Sequence, residues 1–182
     1  MNIKFEKLMR SHFPLLLKWL ETPHVKAWWD QDIQWSMELI EEKYGPYVNG
    51  YKLDNGEAKK LQAYIICVDQ TPVGYIQLYN AYDFPRNPPL TTALPASLAA
   101  FDIFIGESDY VNKGIGTSAL QLFLDQYATP NFEYTFADPE IDNIAAIKTY
   151  TKAGFKIVDT VNKELIMLRK NDLTSQNINF QL

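Results

Sequence analysis

An α+β fold, helical first and then mixed, is predicted from three observations. Apolar residues recur at helical spacing early in the chain, as in Leu15, Leu16, Trp19 and Leu20. Runs rich in β-branched and aromatic residues begin at Leu61. Strand-like and helix-like segments then alternate as far as Leu168. With 182 residues and 47% apolar content, the chain can bury one substantial core, so a single domain over residues 1–182 is expected.

The first apolar stripe is followed by PHVKAWWD, in which Pro23 suits a first helical turn, and two short helices are expected. Met37, Ile40 and Tyr44 predict a helix from Ser36 to Tyr47, ended near Gly45-Pro46 and followed by a polar loop from Asn49 to Lys60. Leu61 to Val68 and Val73 to Tyr79 flank the turn-forming DQTP and read as an antiparallel hairpin. Pro85, Pro88, Pro89 and Pro95 forbid regular structure between Asn80 and Ala96. A strand at Leu98–Ile105, a helix at Thr117–Tyr127, a strand at Phe132–Ala137, a helix at Asn143–Ala153 and a hairpin over Phe155–Leu168 complete the reading.

Composition excludes several functions. The net charge is −5 and there is no basic run, which argues against a nucleic-acid partner and suits a cationic small molecule. No apolar run reaches about 18 residues, and MNIKFEKLMR resembles neither a signal sequence nor a cleavage site, so a soluble cytoplasmic protein without membrane contact is expected. Cys67, within AYIICV, reads as a packed thiol. His12 and His24 lack neighbours at ligand spacing, so they read as structural, and neither a metal site nor a catalytic triad is expected.

The segment Val111–Gly116, VNKGIG, precedes a helix whose apolar face is Leu120, Phe123 and Leu124. Backbone amides at such a helix start attract anions, and Gly114 and Gly116 permit close approach of a phosphate, to which Lys113 adds a charge. Gly114-x-Gly116-x-x-Ala119 also fits a dinucleotide fingerprint, with Asp138 placed as a ribose-binding acid. Against that stand the eight residues Gly106–Lys113 between strand and glycine and the short chain remaining for a doubly wound sheet. A helix entry with no ligand is the third reading.

Other residues carry paired readings. Asp102 is a lone charge in an apolar strand, with Phe101, Ile103 and Ile105 on one face and Asp102 and Phe104 on the other. A substrate ammonium or an internal ion pair would satisfy it. Asn143 and Tyr150 are two helical turns apart and share a face, where Tyr150 either packs or protonates a thiolate. Asp138, ahead of Pro139, caps a helix or faces an acceptor. Adjacent Trp28 and Trp29 point about 100° apart on a helix, so one of them is expected to line a pocket.

The segment DPEIDNIAAIKTYTKAGF, Asp138–Phe155, with Asn143, Ala146, Tyr150 and Gly154-Phe155, resembles the second signature of the GNAT N-acetyltransferases, and VNKGIG resembles their pyrophosphate turn. The resemblance implies the GNAT fold, a central mixed but mostly antiparallel sheet flanked by helices, with acetyl-CoA as donor and no metal. It places the donor on Ile103, Phe104, Ile105, Val111, Asn112, Lys113, Gly114, Ile115, Gly116, Thr117, Asn143, Ala146 and Tyr150. Val111 departs from the family's usual Gln or Arg there, leaving the backbone amides to hold the phosphates.

WLETPHVKAWW, with Trp19, His24, Trp28 and Trp29, resembles both the aminoglycoside 6'-N-acetyltransferases and the siderophore-forming hydroxylysine acetyltransferases. GYIQLY and FDIFIG look more like the aminoglycoside group. This implies an acceptor site of Trp28, Trp29, Tyr44, Gln77, Asp83, Asp102 and Asp138, with Asp102 binding or deprotonating the amine and Tyr150 protonating coenzyme A. The loop Asp83–Pro95 departs from that group, offering one acid and Arg86 where several carboxylates are usual. The expected function is acetyl-CoA-dependent acetylation of a small cationic amine by a monomer or homodimer, with antibiotic resistance as its consequence if the acceptor is an aminoglycoside. N-hydroxylysine as acceptor and a non-catalytic acyl-CoA-binding module are the alternatives.

Overall fold

The computed structural model of the chain describes residues 1–85 and 93–172. Eight strands form one sheet: β1 (Ile3–Lys7), β2 (Tyr51–Asp54), β3 (Glu57–Val68), β4 (Thr71–Asn80), β5 (Leu98–Ile105), β6 (Tyr134–Ala137), β7 (Lys156–Val161) and β8 (Glu164–Lys170). Their order is β1-β3-β4-β5-β6-β8-β7, with β2 paired to the outer end of β3. Every pairing is antiparallel except β5 with β6. The expected mixed sheet is therefore present, and with one parallel pair among the described residues it is not the doubly wound dinucleotide fold.

Helices cover both faces. On one side lie α1 (Phe13–Leu20), α2 (Pro23–Lys26) and α3 (Met37–Val48). On the other lie α4 (Ile115–Phe123), which runs on into a π-helical turn at Leu124–Ala128, and α5 (Ile144–Lys152). The central strand β3 is apolar on both faces: Tyr64, Ile66 and Val68 pack toward Phe123 and Leu124, while Leu61, Ile65 and Cys67 pack toward Leu16, Trp19 and Tyr44. Period-2 alternation thus builds two cores from one strand. Burial pushes the Cys67 thiol up to about 11, as befits a packed side chain.

Three local expectations are corrected. β1 is a strand where none was assigned; Ile3 and Phe5 alternate with lysine and glutamate and pair with Val68 and Ile66. The polar segment Asn49–Lys60 is a hairpin rather than a loop, because Asn55 and Gly56, at φ 48° and 82°, make a tight turn between β2 and β3. Helix α3 continues through Pro46 to Val48. The proline removes one bond to the exposed Glu42, whose carbonyl water can satisfy, while Tyr44 and Tyr47 stay anchored in the core. The predicted loop after β4 begins with a short 3-10 turn, Ala81–Asp83.

Candidate active site

Strand β5 positions the site. Along one edge it pairs with β4 from Ala99 to Ile105, but along the other it meets β6 only at Leu98–Ala100. Among the described residues that edge has no strand partner from Phe101 to Ile105, and a groove of about 680 Å³ opens there. The groove runs from the start of α4 along β5 to Trp28 and Trp29, with α5 as its far wall.

At one end, Ser108–Tyr110 form a 3-10 turn, Asn112 takes a left-handed φ of 60°, and Gly114 does so at 79° as the residue preceding α4. Among the described residues no side chain caps α4 and no acid occupies its first turn, so its first amides have neither an intrahelical acceptor nor a capping side chain. A Cβ on Gly114 would meet nothing within 4 Å, and one on Gly116 would lie 3.8 Å from Ile105 Cγ1. The glycine at 114 is needed for its backbone angle, whereas Gly116 has room for a methyl within the protein. The turn is tied to α1: the Trp19 indole lies over Gly106, whose added Cβ would fall 2.1 Å from Trp19 Cγ, and Trp19 Nε1 donates to Glu107 at 2.8 Å. Lys18 pairs with Glu107 at 2.7 Å, and this lysine with the indole holds the Glu107 carboxyl below the usual range.

In the middle, Asp102 and Tyr150 line the groove. Desolvation raises the Asp102 carboxyl above its ordinary range, opposed by hydrogen bonds from Gln77 and Tyr79 and by the charges of Lys52 and Lys43. Tyr150 sits on the opposite face, its ring 5.3 Å from Phe101 and 5.9 Å from Phe155. Burial, with the Asp102 charge adding to it, keeps its phenol protonated far above neutral pH.

The family profile described as the acetyltransferase (GNAT) domain matches residues 9–163. The chain belongs to the GNAT acetyltransferase family. This GNAT domain is 25% identical over 165 residues to an aminoglycoside N(6')-acetyltransferase type 1 of Klebsiella pneumoniae, over 85% of this chain and 75% of that relative. Its fold is similar to that of AAC(6')-Ib in complex with ribostamycin and coenzyme A, at a TM-score of 0.80 and 20% identity over 100% of both chains. It is also similar to AAC(6')-Ib in complex with coenzyme A and kanamycin, at a TM-score of 0.77 and 21% identity over 93% of this chain and 95% of that one.

Within the GNAT domain, the groove gathers Trp28, Trp29, Asp102, Ile103, Phe104, Ile105, Val111, Asn112, Gly114, Gly116, Thr117, Asp138, Asn143, Ala146 and Tyr150. Both tryptophans line it rather than one: Trp28 is 44% exposed, whereas Trp29 packs edge-on to Phe104 at 4.9 Å. Asn143, not Asp138, caps α5 by accepting from the Ala146 amide at 3.1 Å, so only its Nδ2 is left to donate toward a bound amide carbonyl. Asp138 is half-buried at the groove wall.

Five predicted residues are placed elsewhere. Ile115 is 3% exposed in the core beneath α4 and offers only its amide. Lys113 is exposed outside the lining. Tyr44 is fully buried between Trp35, Tyr47 and Tyr75, because its helical face points at the sheet. Gln77 is also buried and reaches Asp102 instead of the groove. Asp83 ends the 3-10 turn after β4 and does not line the groove, while Arg86 lies outside the described residues.

The groove also contains residues not expected to line a site. His24 Nε2 is 2.9 Å from the Ile105 carbonyl oxygen, a structural contact as expected, yet one that forms part of the groove wall at the open edge of β5. Lys148 and Lys152 line it from α5, one helical turn apart. Among the described residues no cluster of His, Cys, Asp or Glu could hold a metal ion, and no helix is long and apolar enough to cross a membrane.

Proposed function

We propose that this GNAT domain is an acetyl-CoA-dependent N-acetyltransferase acting by direct transfer on a primary amine of a small cationic acceptor, the 6'-amine of an aminoglycoside. One observation carries the reading: a single groove connects the unpartnered amides of α4, the open edge of β5, and the pair Asp102 and Tyr150. The relatives that act on aminoglycosides support the choice of acceptor.

The groove fits the donor. The amides of Ile115, Gly116 and Thr117 would hold its pyrophosphate, the free edge of β5 and Asn143 would bond its pantetheine amides, and Lys148 and Lys152 supply positive charge along the same wall. Acetyl-CoA supplies an activated thioester. Asp102 binds the acceptor ammonium and takes its proton, which frees the nitrogen lone pair to form the C–N bond as the C–S bond breaks. Tyr150 hands its proton to the leaving sulfur and takes back the second proton of the acylated nitrogen, while Asp102 releases the first to water. Trp28 and Trp29 wall the acceptor end, and Asp138 adds a second carboxylate for a polycation. The same chemistry suits a cytoplasmic location, where acetyl-CoA is made.

A second acceptor class is favoured by the charges around Asp102. Lys52 and Lys43 both act on the Asp102 carboxylate, so the acceptor end carries positive as well as negative charge. An amine that carries its own acid, of the N-hydroxylysine type, fits that balance. Thiol release from acetyl-CoA should be measured with kanamycin, N-hydroxylysine and lysine. Turnover of kanamycin is expected; turnover of N-hydroxylysine alone selects the second acceptor. Stabilisation by acetyl-CoA with no thiol release from any amine would leave an acyl-CoA-binding module instead.

A further inference from the structure

Strand β4 presents Tyr75, Gln77 and Tyr79 on one face, and Gln77 lies directly across from Asp102 in the β4–β5 register. Gln77 Nε2 donates to Asp102 Oδ2 at 2.6 Å, and the Tyr75 hydroxyl donates to Gln77 Oε1 at 2.6 Å. Tyr75 is completely buried, Gln77 is 8% exposed, and neither is among the residues that line the groove. An ionised carboxylate only accepts hydrogen bonds, so the amide must turn its nitrogen toward Asp102. Its oxygen is thereby turned into the core, where it needs a donor. The phenol of Tyr75 is that donor.

We propose that Tyr75 and Gln77 are positioning residues that lock Asp102 as an ionised, groove-facing carboxylate for the acceptor ammonium. Without the Tyr75 hydroxyl, the Gln77 oxygen is left buried without a donor, so the amide keeps its nitrogen on Asp102 only against the cost of an unsatisfied acceptor. Fully satisfied buried networks of this kind fix one geometry, and half-satisfied ones are costly. Other groups also act on Asp102: Tyr79 on β4, Lys52 on β2, Lys43, Tyr44 and Tyr47 on α3, and Tyr150 on α5. Their contributions are common to wild type and variants, so a change confined to Tyr75 or Gln77 isolates the relay. The inference rests on Asp102 serving the acceptor, as proposed above.

The test is a titration of aspartate side-chain carboxyls by ¹³C NMR, with Asp102→Asn identifying the Asp102 signal, in wild type, Gln77→Leu and Tyr75→Phe. Loss of one donor should move the Asp102 midpoint up by about one pH unit in Gln77→Leu and by about half a unit in Tyr75→Phe. The acid limb of kcat/KM should move by the same amounts while the Kd for acetyl-CoA stays constant. An Asp102 midpoint unchanged in both variants, or activity lowered equally at every pH, overturns the relay. Tyr75→Phe conserves volume and reads the relay if Gln77→Leu does not fold. The NMR titration needs no turnover, so a wild type inactive on every amine would count against the acetyltransferase reading and leave the relay decided separately.

Discussion

Asp102 and Tyr150 enter one groove from opposite faces of the sheet: Asp102 belongs to the face of Tyr75 and Gln77, Tyr150 to that of Phe101 and Phe155. They meet because β5 parts from β6 after Ala100. The two groups are pushed to complementary states, a carboxylate of raised pKa that can take a proton and a phenol that keeps one to give.

Asp102→Asn should lower kcat/KM at neutral pH by about 100-fold or more, the usual scale for a lost general base or ammonium partner. The same variant should melt a few degrees higher at pH 7.5. Burial raises the carboxyl in the folded chain, so its contribution to stability is greatest below the unfolded-state value and is lost as pH rises through the folded one. The melting difference should therefore vanish in acid, as thermal scans from pH 4 to pH 8 would reveal.

Tyr150→Phe should lower kcat by about 10- to 100-fold and leave the affinity for acetyl-CoA within about twofold, because the ring keeps its contacts with Phe101 and Phe155. Single-turnover kinetics with isothermal titration separates the two. A phenol that only packs would give wild-type kcat.

The two glycines of the turn should respond differently to alanine. Gly114→Ala forces a side chain into a left-handed angle and should cost about 1 kcal/mol of stability. Gly116→Ala fits its protein neighbours but adds a methyl to the groove, so it should keep the melting temperature and weaken acetyl-CoA binding by about tenfold. Melting curves with and without acetyl-CoA read both effects.

Glu107→Gln should loosen the turn by weakening its ties to Lys18 and the Trp19 indole. The depressed carboxyl contributes stability above the unfolded-state value that disappears as pH falls through the folded one, so wild type and variant should converge in acid. Away from acid the variant should melt lower and show a raised KM for acetyl-CoA, measured by thermal scans and initial rates.

Much of this was legible in the sequence. The two helical turns between Asn143 and Tyr150 and the placement of Gly114 before α4 marked residues that the structure gathers along one groove. Lone Asp102 in an apolar strand marked another residue of that groove. What escaped depended on contacts between distant segments. Gln77 and Tyr44 are polar-bearing residues near the right motifs, and only the pairing of β4 with β5 and the packing of α3 reveal that both point into the core. β1 gains its identity from pairing with β3, far along the chain, as Ile3 does with Val68. The hairpin of β2 is a different case, since Asn55-Gly56 announced it and the surrounding charge obscured it.

The most direct test of the central claim is mass spectrometry of kanamycin incubated with acetyl-CoA and the protein, wild type beside Asp102→Asn. Wild type should yield a singly acetylated aminoglycoside modified at the 6'-amine, with product strongly reduced in the variant. Unmodified kanamycin after complete mixing with an acetyl-CoA-binding wild type, or equal product from both proteins, would contradict the account.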